Sequence, residues 1–326
     1  MRIRYLVLGM ILGVVMIHPV TTPITAVAEG DDETPLAVLM SCSGDVTVVK
    51  TDGASVKGTF GQPLATGDEI RTGKDATADI LFENGNYISI GANSSMKVRG
   101  SKTNGSEAVK PMGDNGFEVA QNFLKLKSAQ GTSSISGLRG SEDWAEKLRA
   151  VSPRETRVID GRPTFVWKAG EPDEELQLTV YSEGAVHWKS TVHGVNELTY
   201  PESAPVLASG PSYAWKLETT DPLRYPPLSS QAAFFEIISE KERGDLETTL
   251  KRIDDDGSLS QVSRHIMRAS VYFNHRLLAD AVGETEEALA AAPEDASLQS
   301  ILARLYGQVG RMAEAAELYD QILENK

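Results

Sequence analysis

The 326-residue chain has a single cysteine, Cys42, so no disulfide can form within it. It has only five histidines, and no H-E-x-x-H, H-x-H or cysteine pair, so the common zinc-ligand spacings are missing. A P-loop and a G-x-S-x-G nucleophile elbow are also missing. Basic charge is scarce: 32 Lys and Arg stand against 46 Asp and Glu, for a net charge of −14. No basic stripe offsets that balance, which argues against binding to DNA, RNA or anionic lipid. Long apolar runs are absent apart from one at the N-terminus.

That run belongs to MRIRYLVLGMILGVVMIHPVTTPITAVAEG. Arg2 and Arg4 precede an apolar stretch from Tyr5 to Ile17, and Ala26-Val27-Ala28 follows. A positive start, an apolar core and a small-x-small site make residues 1–28 a secretory signal, cut after Ala28. Losing Arg2 and Arg4 takes the net charge from −14 to −16. The competing reading is an uncleaved N-terminal anchor, against which stand the short run and its end at His18-Pro19. Leu39-Met40-Ser41-Cys42 is too far from the apolar core for a lipoprotein box, and Cys42 is expected in a buried strand.

Three regions follow. From Pro35 to Trp144, short apolar alternations (Val46 and Val48; Ala78, Ile80 and Phe82; Ile88 and Ile90) are separated by Asp52-Gly53, Asn84-Gly85 and Gly91. The pattern predicts an all-β region, with a hairpin turning at Asn84-Gly85. In GDEIRTG, Gly67 and Gly73 suit positive-φ turns, Leu64 and Ile70 point inward, and Asp68 and Thr72 bond nearby backbone. From Ser152 to Thr220, strands recur about every ten residues, carrying Phe165, Trp167, Leu178, Trp188, Tyr213 and Trp215, which predicts a β-sandwich. The three tryptophans fall on apolar phases and read as core, although a carbohydrate platform is the other use for them.

Residues 231–326 are helical, after the proline-rich linker DPLRYPPLSS. A period of about 34 residues relates Ala269, Tyr272, Ala281 and Ala288 to Ala303, Tyr306, Ala315 and Ile322. Phe234–Ile253 is expected as a degenerate helix pair capping the array. Asp254-Asp255-Asp256-Gly257 fails the EF-hand register, with Arg252 first and Ser263 twelfth, and reads as an acidic turn.

The order Gly44-Asp45-Val46, Gly61, Leu64, Gly67-Asp68, Ile70, Thr72-Gly73, Ala78, Ile80, Phe82, Asn84-Gly85 and Ile88 resembles the FecR domain. Gly137-Leu138-Arg139-Gly140-Ser141-Glu142 is similar to a segment near the end of such domains. Residues 152–220 look like immunoglobulin-like or fibronectin-like modules, and the helical period resembles the tetratricopeptide repeat. The fold these imply is multidomain: a FecR-like β domain over 35–144, a β-sandwich over 152–220 and helical hairpins over 231–326.

These resemblances imply a noncatalytic adaptor or sensor of the bacterial envelope, periplasmic or secreted, that binds envelope proteins. A groove marked by Tyr272, Gln299, Tyr306 and Arg311 is the candidate contact surface. Glycan or peptidoglycan binding through the β domains is the alternative. No catalytic residue, metal or cofactor is expected; His187 and His193, six apart, are weak metal candidates. N-terminal sequencing of the exported protein is expected to begin at Glu29; a chain keeping Met1 in the membrane fraction would identify the anchored form.

Overall fold

Short alternating runs make short strands, and the turns between them set their order. The computed structural model describes residues 35–99, 110–128, 148–169, 174–223 and 225–324. The expected signal, residues 1–28, and the Gly137–Glu142 segment lie outside the described residues.

Eight strands come first among the described residues: β1 (Ala37–Ser43), β2 (Val46–Val49), β3 (Ser55–Lys57), β4 (Pro63–Leu64), β5 (Glu69–Thr72), β6 (Thr77–Phe82), β7 (Tyr87–Ile90) and β8 (Ser95–Lys97). They form two sheets, ordered β4-β1-β6-β7 and β3-β2-β5-β8. Leu39, Val46, Val48, Leu64, Ile70 and Ile80 make a core from the two sheets. The opposite face of the first sheet is also covered, and Val38, Met40, Leu81 and Tyr87 enter a second core. This burial on both faces explains why β6 has little polar alternation.

The β6–β7 hairpin turns one residue earlier than expected. Phe82 N donates to Asn86 O and Gly85 N to Phe82 O, and φ is positive at Gly85 (81°) but not at Asn84. The tight part is therefore Glu83-Asn84, with Gly85 taking the left-handed position of a bulge. In GDEIRTG, Gly67 does adopt φ +95°, and a Cβ there would meet Thr51 Cγ2 at 2.7 Å. Gly73 does not have positive φ; its place comes from the close pass of Asp45, whose carbonyl accepts from Gly73 N at 2.8 Å. Asp68 Oδ2 accepts from Ala65 N and from Lys50 Nζ, and Thr72 Oγ1 donates to Gly91 O. The cluster is a set of turns.

The all-β expectation fails at α1 (Gly116–Ser128). Phe117, Ala120, Phe123 and Leu126 recur every third residue and are buried. That stripe is helical, and the polar stretch before it hid it.

The sandwich is built from β9 (Arg149–Ser152), β10 (Thr156–Val158), β11 (Thr164–Lys168), β12 (Leu176–Ser182), β13 (Ala185–Val192), β14 (Glu197–Thr199), β15 (Ser212–Thr219) and β16 (Ala233–Ile237). Its sheets are ordered β14-β11-β9 and β10-β16-β15-β12-β13, with β10 and β16 parallel. Phe165, Trp167, Tyr213, Trp215 and Phe235 fill its centre. Trp215 Nε1 donates to Pro153 O at 2.7 Å.

β16 corrects the expectation of a helix pair over Phe234–Ile253. Ala233, Phe235 and Ile237 alternate inward as a strand, and one helix follows, α2 (Glu240–Asp255). Ser239 and Glu242 form a capping box at its start, a boundary visible in the sequence as S-x-x-E. Four more helices follow among the described residues: α3 (Gln261–Asn274), α4 (Leu278–Ala291), α5 (Ala296–Gln308) and α6 (Met312–Glu324).

The β and helical parts join into one compact unit over Pro35–Lys326. Helix α1 packs against both α3 and α5. The Phe123 and Phe273 rings meet edge to face at 5.8 Å, and Asn274 Nδ2 donates to Val119 O. The turns after α3 and α5 rest on the sandwich. Arg276 (φ 59°) accepts from Arg157 N, and Gly310 (φ 77°), at the matching place one repeat on, accepts from Arg149 Nη1.

A carboxylate marks the joint between β6 and α3. Asp79 is 1% exposed, and its Oδ2 accepts from Ser41, Ser260 and Ser263, at the N-terminus of α3. Burial pushes this carboxyl up, but the hydroxyls of Ser260, Ser41, Ser89 and Ser263 outweigh it and hold it below its ordinary value. Its folded pKa being depressed, the stability it contributes is present above the unfolded value near 4 and is lost as pH falls through the folded one. Asp79→Asn is expected to cost about 1.5–3 kcal/mol at pH 7. The gap to the parent chain should narrow below about pH 4. Urea unfolding of both proteins at pH 7 and at low pH checks this.

Candidate functional site

The two helical hairpins repeat with small residues at the contacts. Ala269 and Ala303, Ala281 and Ala315, and Ala288 and Ile322 occupy matching buried positions. Small side chains let paired helices approach closely. Tyr272 and Tyr306 are 7% and 8% exposed. Matching positions of the two hairpins carry different chemistry, and this difference defines the site.

The first junction, among α2, α3 and α4, is knit by charge. Arg268 bonds both carboxylate oxygens of Asp254 on α2, and one of Glu284 on α4, at 2.6–2.9 Å. His265 Nδ1 lies 2.7 Å from the other oxygen of Glu284. The Arg268 guanidinium lies 5.8 Å from the Tyr272 ring centre. Burial pulls Arg268 down, and its bond to Glu284 more than offsets this, so its pKa rises. One guanidinium thus ties three helices together.

The second junction, among α4, α5 and α6, lacks that tie. Leu302 stands where Arg268 stands one repeat earlier, Leu318 where Glu284 stands, and Gln299 where His265 stands. A groove of about 470 Å³ opens here, lined by Leu289, Leu302 and Leu318 and edged by Glu286, Glu317 and Gln321. At one edge Arg311 lies 4.0 Å from the Tyr306 ring centre and pairs with Glu286 and Glu314 at 2.8 and 3.1 Å. Tyr306 donates its hydroxyl proton to Glu286 at 2.7 Å. Burial, then that bond, raises the Tyr306 pKa. The arrangement offers an apolar floor with an acidic edge and a fixed cation–aromatic corner.

Of the four residues singled out from the sequence, Gln299 and Tyr306 line this groove and Arg311 ties its corner. Gln299 is 8% exposed and donates to Pro293 O. Tyr272 sits apart, in the charge-knit first junction. Leu302, Leu318 and Glu286 were not singled out, although setting one repeat against the other shows the loss of Arg268 and Glu284. The face that α3 and α5 share is not open, because α1 lies across it.

No protein-family model matches the chain. No curated protein sequence matches it either.

Trp167 and Trp215 are 2% and 0% exposed and belong to the sandwich core, and Trp188 is half-buried against that core, 5.0 Å from Tyr200. A second cavity of about 470 Å³ lies between the sandwich and α2, beside Tyr200, Leu207, Ile237 and Arg243. Among the described residues no three His, Cys, Asp or Glu side chains gather as a metal cluster. Cys42 lies half-buried on β1; burial, with Asp295 and Asp79 nearby, pushes its thiol up to about 12. No described helix is long and apolar enough to cross a membrane.

The Tyr306–Glu286–Arg311 corner is expected to act as a unit. Arg311→Ala should cost about 1–2 kcal/mol and Tyr306→Phe about 0.5–1.5 kcal/mol. In the double variant the two costs should fall short of adding, which a double-mutant cycle by urea unfolding reads directly.

Proposed function

We propose that this protein is a noncatalytic, exported adaptor or sensor of the bacterial envelope that binds other proteins through its helical repeats. The observation that carries this reading is the leucine-floored groove at the second junction, where the matching place one repeat earlier is closed by ions. An apolar groove with a few fixed polar groups at its edge suits an apolar side chain of a partner segment. The signal-like N-terminus and the FecR and tetratricopeptide resemblances supply the envelope setting. The β part serves as the rigid support on which the repeats are mounted.

Photo-crosslinking from Gln321, which is exposed at the groove edge, tests the reading. One dominant protein adduct, lost in Leu318→Glu while the chain stays folded and exported, is the expected result. Crosslinks to glycan, or a protein adduct unaffected by Leu318→Glu, would overturn it.

A further inference from the structure

Charge alternates along the helical hairpins. Helices α3 and α5 carry Arg264 with Arg268, and Arg304, and no carboxylate. Helices α4 and α6 carry four carboxylates each and no cation. Each anionic helix is packed against a cationic one.

The outer side of α4 shows what such a helix is covered by. Its Leu278 and Val282 are 9% and 5% exposed and Leu289 is half-buried, in a core shared with α5. The same three positions on α6, one repeat on, are Met312, Ala316 and Leu323. Their spacing of four and seven places them on one side of the helix. Met312 and Leu323 are 40% and 59% exposed, and α6 packs on α5 with this side left open among the described residues.

We infer that the Met312–Leu323 stripe of α6 binds a basic, leucine-rich amphipathic helix of a partner protein. Such a helix takes the place that α5 takes on α4, and the exposed Glu324 beside Leu323 pairs with its cations. A second copy of this chain is the poorer occupant, because α6 against α6 sets four carboxylates against four. The stripe is a different surface from the groove at Leu302 and Leu318. The inference rests on the protein-binding reading but not on that groove.

The test uses the full chain and a fluorescein-labelled peptide of the α5 sequence, ASLQSILARLYGQ, with anisotropy as the readout. Saturable binding is expected, weakened about tenfold or more by Leu323→Glu. Glu324→Lys should weaken it too, and Leu318→Glu in the groove should leave it unchanged. Both altered α6 positions are exposed, so circular dichroism and the melting temperature should match the parent chain. Absence of saturable binding would overturn the inference, as would binding lost in Leu318→Glu and kept in Leu323→Glu. Sedimentation as a dimer that Leu323→Glu dissociates would assign the stripe to self-association instead.

Discussion

The packing of α1 across α3 and α5 is the constraint on which the rest depends. Phe123 is fully buried there, and a buried phenylalanine contributes roughly 1.5–3 kcal/mol. The same core takes Met40 and Leu81 from the first sheet and Ile266, Leu298 and Ile301 from the helices. Separate modules on flexible linkers would each close their own core. Here the β part and the repeats share one, and Asp79 fixes the start of α3 within it. The sandwich has its own core and holds the Arg276 and Gly310 carbonyls, through Arg157 N and the Arg149 side chain.

This arrangement decides which surfaces of the repeats can meet a partner. The side shared by α3 and α5 is occupied by α1, and the ends of those helices are held by the sandwich. Among the described residues, the side formed by α4, α5 and α6 stays accessible. There the second hairpin has exchanged a guanidinium and a carboxylate for two leucines. A buried ion relay that loses one member leaves an unpaired charge, so the two exchanges make sense only as a pair.

Much of the fold was legible in the sequence because periodicity reports which side of an element is buried. Val46, Val48, Leu64 and Ile70 point inward as the alternation indicates, and the repeat period falls on two helical hairpins. The failures have local causes. Gly73 owes its place to a close chain pass, which a motif cannot distinguish from a positive φ. The strand Ala233–Ile237 is only five residues long, stands directly before a capped helix, and is held between β15 and the distant β10, so its alternation is too short to separate it from the helical region. The groove was half legible: Tyr306 belongs to the repeat pattern and Gln299 was marked as a candidate contact, while Leu302 and Leu318 stand out only when set against Arg268 and Glu284.

The position of α1 also governs the order of events in synthesis. Its apolar side is complete once Ser128 is made, yet the helices that cover it, α3 and α5, end only at Asn274 and Gln308. Contacts of such long separation are slow to form, and the surfaces awaiting them are prone to aggregate. Until then, Phe117 and Phe123 wait without their final cover. A chain still being made therefore carries this apolar side exposed for most of its synthesis.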